Sequence, residues 1–235
     1  MNRVHEVPHH RANQGQAPLW SPALKAGLAA LLLLWFAAAA VIGTEQLLVN
    51  RDGGFLPPIA ITAVLPVALF LALYGLSARF RGFVLAQDLR TLTLLQMWRV
   101  IGFTMLGLLA VGALPGFFAW PAGLGDVAIG LGAVYVVTRL DRDPDYAVSR
   151  GFVRFHLLGL LDFAVAVGTA GLAAGAFPAL IPGGVTSAPM DVWPMNLFPS
   201  FGVPIFIILH LTVLFKVRQL RRAVRPQAGL ALEQA

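Results

Sequence analysis

The sequence predicts an all-α, polytopic membrane helix bundle. Three observations carry that reading. The 235 residues are 58% hydrophobic and only 12% charged, about half the charged share of an ordinary soluble domain. The apolar residues come in six blocks of about 20, the length a helix needs to cross a bilayer. The basic residues are confined to alternate loops, as expected of a chain threaded back and forth through a membrane.

The six runs are about 23–43, 58–76, 92–112, 121–138, 152–174 and 200–217, framed by a polar tail over 1–22 and a basic tail over 218–235. The first, with its core "AGLAALLLLWFAAAAVIG", is long enough to span. It reads as a retained helix, not the short apolar core of a signal peptide. The tail before it reads as disordered. Its His5, His9 and His10 have no scaffold to fix a metal geometry. The first two helices are joined by "TEQLLVNRDGGFLPP", a Gly-Gly and Pro-Pro turn region. The second and third are joined by "ARFRGFVLAQDLR", which suits a short interfacial helix. The uncharged "ALPGFFAWP" links the third and fourth, and "RLDRDPDYAVSR" the fourth and fifth. The fifth and sixth are separated by a long Pro- and Gly-rich segment with one acid, Asp191, and no base.

Charge then sets orientation. Arg3, Arg11 and Lys25 precede or open the first helix. Arg79, Arg81 and Arg90 lie between the second and third. Arg139, Arg142, Arg150 and Arg154 lie between the fourth and fifth. Lys216, Arg218, Arg221, Arg222 and Arg225 end the chain. Fifteen of the 17 basic residues thus fall on one side. Only Arg51 falls on the other, so both termini are expected in the cytoplasm. The net charge of +6 is better explained by basic loops and a tail touching anionic lipid than by nucleic acid. There is no cysteine, which removes disulfides, thiolate metal sites and thiol nucleophiles.

Ionisable or strongly polar residues inside the spans are costly, and each is a functional candidate. They are Gln96 and Arg99 in the third helix, Asp126 in the fourth, His156 and Asp162 in the fifth, and His210 in the sixth. At about 1.5 Å per residue from the cytoplasmic end, Arg99 and His210 lie about 10 Å deep and Asp162 about 15 Å. Gln96 and His156 lie at about 6 Å, and Asp126 at about 18 Å. Arg99 is therefore expected to pair with Asp162, with His210 as a titratable neighbour and Asp126 on the outer approach. Gln96, Arg99 and Gly102, three apart, share a face. Asp126 aligns with Ala122 and Gly130, and Asp162 with Gly159, Ala166 and Thr169, small residues that permit close helix packing.

In "FAWPAGLGD", Phe118 to Asp126, Pro121 suits a helix first turn. The segment also suits the floor of an outward-facing pocket under the Trp193 loop. His156 and His210 could clamp a haem iron from two helices, but their different depths weigh against it. Schiff-base chemistry has only Lys25 and Lys216, both at helix ends. No HExxH, P-loop or Gly-x-Ser-x-Gly pattern is present, so the reading leans away from an enzyme. The parallel between "GALPGFFAWPAG" and "NLFPSFGVP" is too thin to indicate an internal duplication.

The succession "QMWRVIGF", "WPAGLGD", "LLGLLDF" and "PSFGVPIFIILHL", from Gln96 to Leu211, resembles uncharacterised bacterial multi-pass integral membrane proteins. The resemblance implies a bacterial inner membrane and supplies no activity. Two function classes therefore compete. In one, the polar cluster serves permeation of a small solute, an ion or a proton. In the other, the protein is structural or a partner subunit, and an Arg–Asp pair only pins helix packing. Haem-linked redox is a further alternative.

Overall fold

The computed structural model describes residues 21–51, 58–176 and 184–233, with the backbone alone for 175–176 and 223–233. The tail through residue 20, with His5, His9 and His10, lies outside the described residues, as do parts of two interhelical loops. The described residues are helical, without strands, and include six helices long and apolar enough to cross a membrane.

Helix α1 spans Pro22–Thr44. Ser21 caps it by accepting from the Leu24 N–H at 3.1 Å, and Pro22 occupies the first helical position, where no N–H is needed. Helix α2 spans Ile59–Leu76. The basic linker forms the expected short helix, α3, Ala78–Leu85, capped by Ser77. The third span opens at α4, Leu89–Leu94, where Asp88 accepts from the Thr91 N–H at 2.7 Å. It tightens into a 3-10 segment over Leu95–Gly102 and relaxes into α5, Phe103–Ala110. The Asp88 cap starts this span three residues before the expected position.

A turn through Gly112, at φ +72°, leads to α6, Gly116–Arg142. The fourth helix thus begins five residues earlier than its Pro121 suggests, and Pro121 lies inside it, not in its first turn. A short 3-10 turn, Pro144–Val148, precedes α7, Arg150–Gly171, which ends in a π-helical turn at Leu172–Ala176. A second π turn, Phe198–Gly202, opens the last span, and α8 runs from Val203 to Glu233. Much of the segment expected as a basic tail therefore continues the helix.

Helix α6 is central. It packs along the whole α4–α5 span on one side and α7 on the other, and α8 closes the bundle against α7, α2 and α4. Two apolar cores result. One, at the arginine-rich end, contains Leu92, Val136, Phe152 and Val213. The other contains Met105, Phe118, Ala122, Ala173 and Met190. The intramembrane polar residues lie between them. Helix α1 stands to one side, held mainly by three specific contacts. Trp35 Nε1 donates to the Ser200 carbonyl at 2.9 Å, Asn196 Nδ2 donates to the Ala39 carbonyl at 2.7 Å, and Phe36 meets Phe201 edge-on. Many long apolar side chains of α1 and α2, among them Leu31, Leu33, Leu34, Val64, Leu65 and Leu69, point outward, as lipid-facing residues do.

Candidate functional site

The 3-10 segment sets the site. At three residues per turn, side chains three apart eclipse one another. Thr93, Gln96, Arg99, Gly102 and Met105 follow at that spacing, and all five are buried. The shared face read from the sequence is therefore real and longer than expected, because an α-helix would have rotated its ends away from each other.

Arg99, 1% exposed, is enclosed by three helices. Its Nε donates to Asp126 Oδ1 at 2.7 Å, and its Nη2 pairs with Asp162 Oδ2. Its Nη1 donates to the Gly159 carbonyl at 3.3 Å and to His210 Nε2 at 3.1 Å. The Arg99 guanidinium carbon lies over the Phe163 ring, 3.9 Å from its centroid, within cation–π range.

Arginine only donates, so the rest of the chain of hydrogen bonds has one consistent polarity. His210 accepts at Nε2 and therefore carries its proton on Nδ1, which donates to His156 Nδ1 at 2.8 Å. His156 then donates through Nε2 to Thr93 Oγ1 at 3.4 Å, and Thr93 donates to the Leu89 carbonyl at 2.7 Å. Every ring nitrogen of both histidines faces a protein partner. Their contact corrects the depth difference read from the sequence, since the two rings meet directly.

Asp126 also departs from its expected position. Measured from the Arg90–Asp141 pair at the arginine-rich end, where Arg90 Nε meets Asp141 Oδ1 at 2.7 Å, Asp126 lies about 22 Å along α6. Arg99 lies about 16 Å along its own span, because the 3-10 residues rise about 2.0 Å each. The guanidinium stem covers the difference. Asp126 is thus both a partner of Arg99 and a lining residue of the space above it.

Glycines make room for this cluster. A Cβ at Gly102 would overlap Asp126, one at Gly125 would overlap the Asp162 carboxylate, and one at Gly159 would overlap the His210 ring. Gln96 sits beside the cluster, fully buried, and its Nε2 donates to the Phe206 carbonyl at 3.3 Å. Sequence reasoning missed Thr93, Phe163 and the Gly159 carbonyl. Thr93 was accessible to it as the next member of the spacing-three stripe.

Above Asp126, away from the arginine-rich end, lies a cavity of about 320 Å³. Its walls come from α2 (Ile59, Ala63), α5 (Met105), α6 (Phe118, Ala122) and α7 (Phe163 to Gly171). Both π turns border it, through Leu172 and Phe198; π turns inside helices often accompany functional sites. The 184–197 loop supplies Ser187, Met190 and Asp191. The loop expected over this space thus borders it, although Trp193 itself is not on the wall and its N–H donates to the Gly43 carbonyl at 3.3 Å. Among the described residues, the cavity therefore carries one carboxylate at its floor, Asp126, a second in the loop, Asp191, and no basic residue in its lining. Burial pushes the Asp191 carboxyl up to about 6, against the opposing effect of a hydrogen bond from the Asn50 backbone. Among the described residues, no group of three or more histidines and carboxylates is arranged to hold a metal.

No curated protein and no solved structure matches the chain. A family model matches residues 56–218, a stretch that begins after α1 and contains the entire cluster and cavity. By that match the chain belongs to the family described as Domain of unknown function (DUF8737).

Proposed function

We propose that the chain is a multi-pass inner-membrane protein with both termini cytoplasmic, and that it binds a small solute in the cavity floored by Asp126. The solute is largely apolar and carries one positive group. The observation that supports this most is the lining: apolar walls, carboxylates at floor and loop, and no base. Beneath the floor, two carboxylates face one guanidinium, and the hydrogen-bond polarity gives the histidines no positive charge to add. One negative charge is left to be met by a cation or a proton. In a low-dielectric site an unbalanced charge is costly, so its neutralisation by a ligand would be strongly favoured. The orientation rests on the arginine-rich loops, which places the cavity mouth on the outer side.

A second reading concerns the cluster itself. Arg99 is bonded to α6, α7 and α8 at once, which suits a pin that fixes helix register. The two readings divide the residues between them: Arg99, Asp162, His210 and His156 hold the bundle, and Asp126 faces both the pin and the cavity. Passage of a solute across the membrane would need a second conformation in which this closed layer opens.

The test uses benzyltrimethylammonium and its uncharged carbon isostere neopentylbenzene, with the protein in lipid nanodiscs. Saturable binding of the cation, much weaker binding of the isostere, and a loss of at least about tenfold in Asp126→Asn are expected. Equal binding of the two probes, or an unchanged affinity in Asp126→Asn, overturns the reading.

A further inference from the structure

The arginine-rich end holds a second site, independent of the cavity. Its arginines have different fates. Arg90 is paired with Asp141, Arg221 donates to the Val148 and Ser149 carbonyls, and Arg139 lies over the Tyr146 ring. Arg81 on α3 and Arg218 and Arg222 on α8 are used by none of these, and among the described residues none of the three is in an ion pair. They border one pocket of about 360 Å³, together with Gln219, Tyr74, Leu85 and Phe215. No acid lines it.

The arrangement is unfavourable by itself. Arg218 and Arg222 are four apart on one helix, where like charges repel, and α3 brings Arg81 to the same pocket. An anion between them reverses the sign of that interaction, and guanidinium forks match a phosphate better than any other common anion. Apart from Gln219, the rest of the pocket is aromatic or aliphatic. Tyr74 stacks on Phe215 with ring centroids 4.3 Å apart and planes 20° from parallel, and Leu85 lies beside them. The pocket sits where α2 ends at Leu76 and where the basic run of α8 begins, the level at which lipid headgroups are expected.

We propose that Arg81, Arg218 and Arg222 form a phosphate site, with Tyr74, Leu85 and Phe215 accommodating the carbon skeleton that carries the phosphate. That skeleton is the glycerol and upper acyl chain of an anionic phospholipid, or the phosphate arrives free. Native mass spectrometry of the full chain separates the sources, with phosphatidylglycerol, phosphatidylcholine and inorganic pyrophosphate as probes. Preferential retention of phosphatidylglycerol identifies a lipid site, and retention of pyrophosphate alone a free-phosphate site.

The triple variant R81Q/R218Q/R222Q should lose at least about tenfold in the retained probe. The control R79Q/R142Q/R150Q removes the same charge from the same end and should stay within about twofold. Equal losses in both variants mean that net charge alone attracts the anion and overturn the site, as does equal retention of phosphatidylglycerol and phosphatidylcholine without pyrophosphate. If the triple variant does not fold, Arg81→Gln, which leaves α8 intact, is judged by the same loss of probe.

Discussion

Arg99 and Asp126 are joined at 2.7 Å, Nε to Oδ1, across the α4–α5 span and α6. Asp162 binds the same guanidinium from α7. A permanent cation shared by two acids on different helices is a three-way clasp, and its removal leaves two half-buried carboxylates without a counter-charge. Arg99→Met should therefore destabilise the bundle by about 3–5 kcal/mol. The triple variant R99M/D126N/D162N, with no charge left to bury, should recover most of that loss. Arg99→Lys should recover little, because one ammonium cannot reach both acids, the His210 ring and the Gly159 carbonyl together. Thermal unfolding in detergent measures all three. A lysine variant as stable as the wild type would sink the clasp.

The glycines around the clasp yield a paired prediction. Gly125→Ala drives a methyl into the Asp162 carboxylate, and Gly159→Ala drives one into the His210 ring. Each should cost about 1–3 kcal/mol as overpacking. Gly75→Ala and Gly107→Ala meet nothing within 4 Å and should be neutral or slightly stabilising, since alanine is the better helix former. Four unfolding curves suffice, and equal effects at all four positions would refute the packing argument.

The hydrogen-bond polarity fixes two tautomers. His210 should carry its proton on Nδ1 and His156 on Nε2, because Arg99 can only donate to the first ring. Nitrogen-15 chemical shifts of selectively labelled histidine in membranes read this directly. Thr93→Val removes the terminal acceptor and should cost about 1 kcal/mol while leaving the His210 tautomer unchanged. A Nε2-protonated His210 would contradict the whole chain from Arg99 to Thr93.

The spans were legible because each is a long apolar block bounded by caps or turn residues: Ser21 before α1, Asp88 before α4, Ser149 before α7. The third span's 3-10 tightening was not legible. Nothing in "LQMWRVIG" forbids an α-helix there. Missing it accounts for about 2 Å of the depth gap between Arg99 and Asp126, and the reach of the arginine side chain covers the rest. Pro121 misled for a related reason. Proline is tolerated early in a helix, but its position does not say how early, so five residues of α6 were read as loop. One part of the cavity was legible, the Phe118–Asp126 segment beneath the loop that carries Trp193; the rest was not, because α2 and the two π turns meet residues more than 100 positions away.

Asp191 gives the site a pH dependence whose sign is fixed. Its carboxyl, 7% exposed, is raised by burial from 3.8 to about 6 in the folded chain, despite the hydrogen bond from Asn50. The folded state therefore binds this proton more tightly than the unfolded chain does. The stability contributed is fully present below about 3.8 and is lost as pH rises through about 6. Between these values the wild type should lose thermal stability relative to Asp191→Asn, which has no proton to release. The cavity should behave in the opposite sense. Ionised Asp191 adds a second carboxylate facing the solute, so affinity for benzyltrimethylammonium should rise as pH passes through about 6 and stay flatter in the variant. Melting curves and binding isotherms from pH 4 to 7 test both, and parallel wild-type and variant profiles would show that Asp191 governs neither.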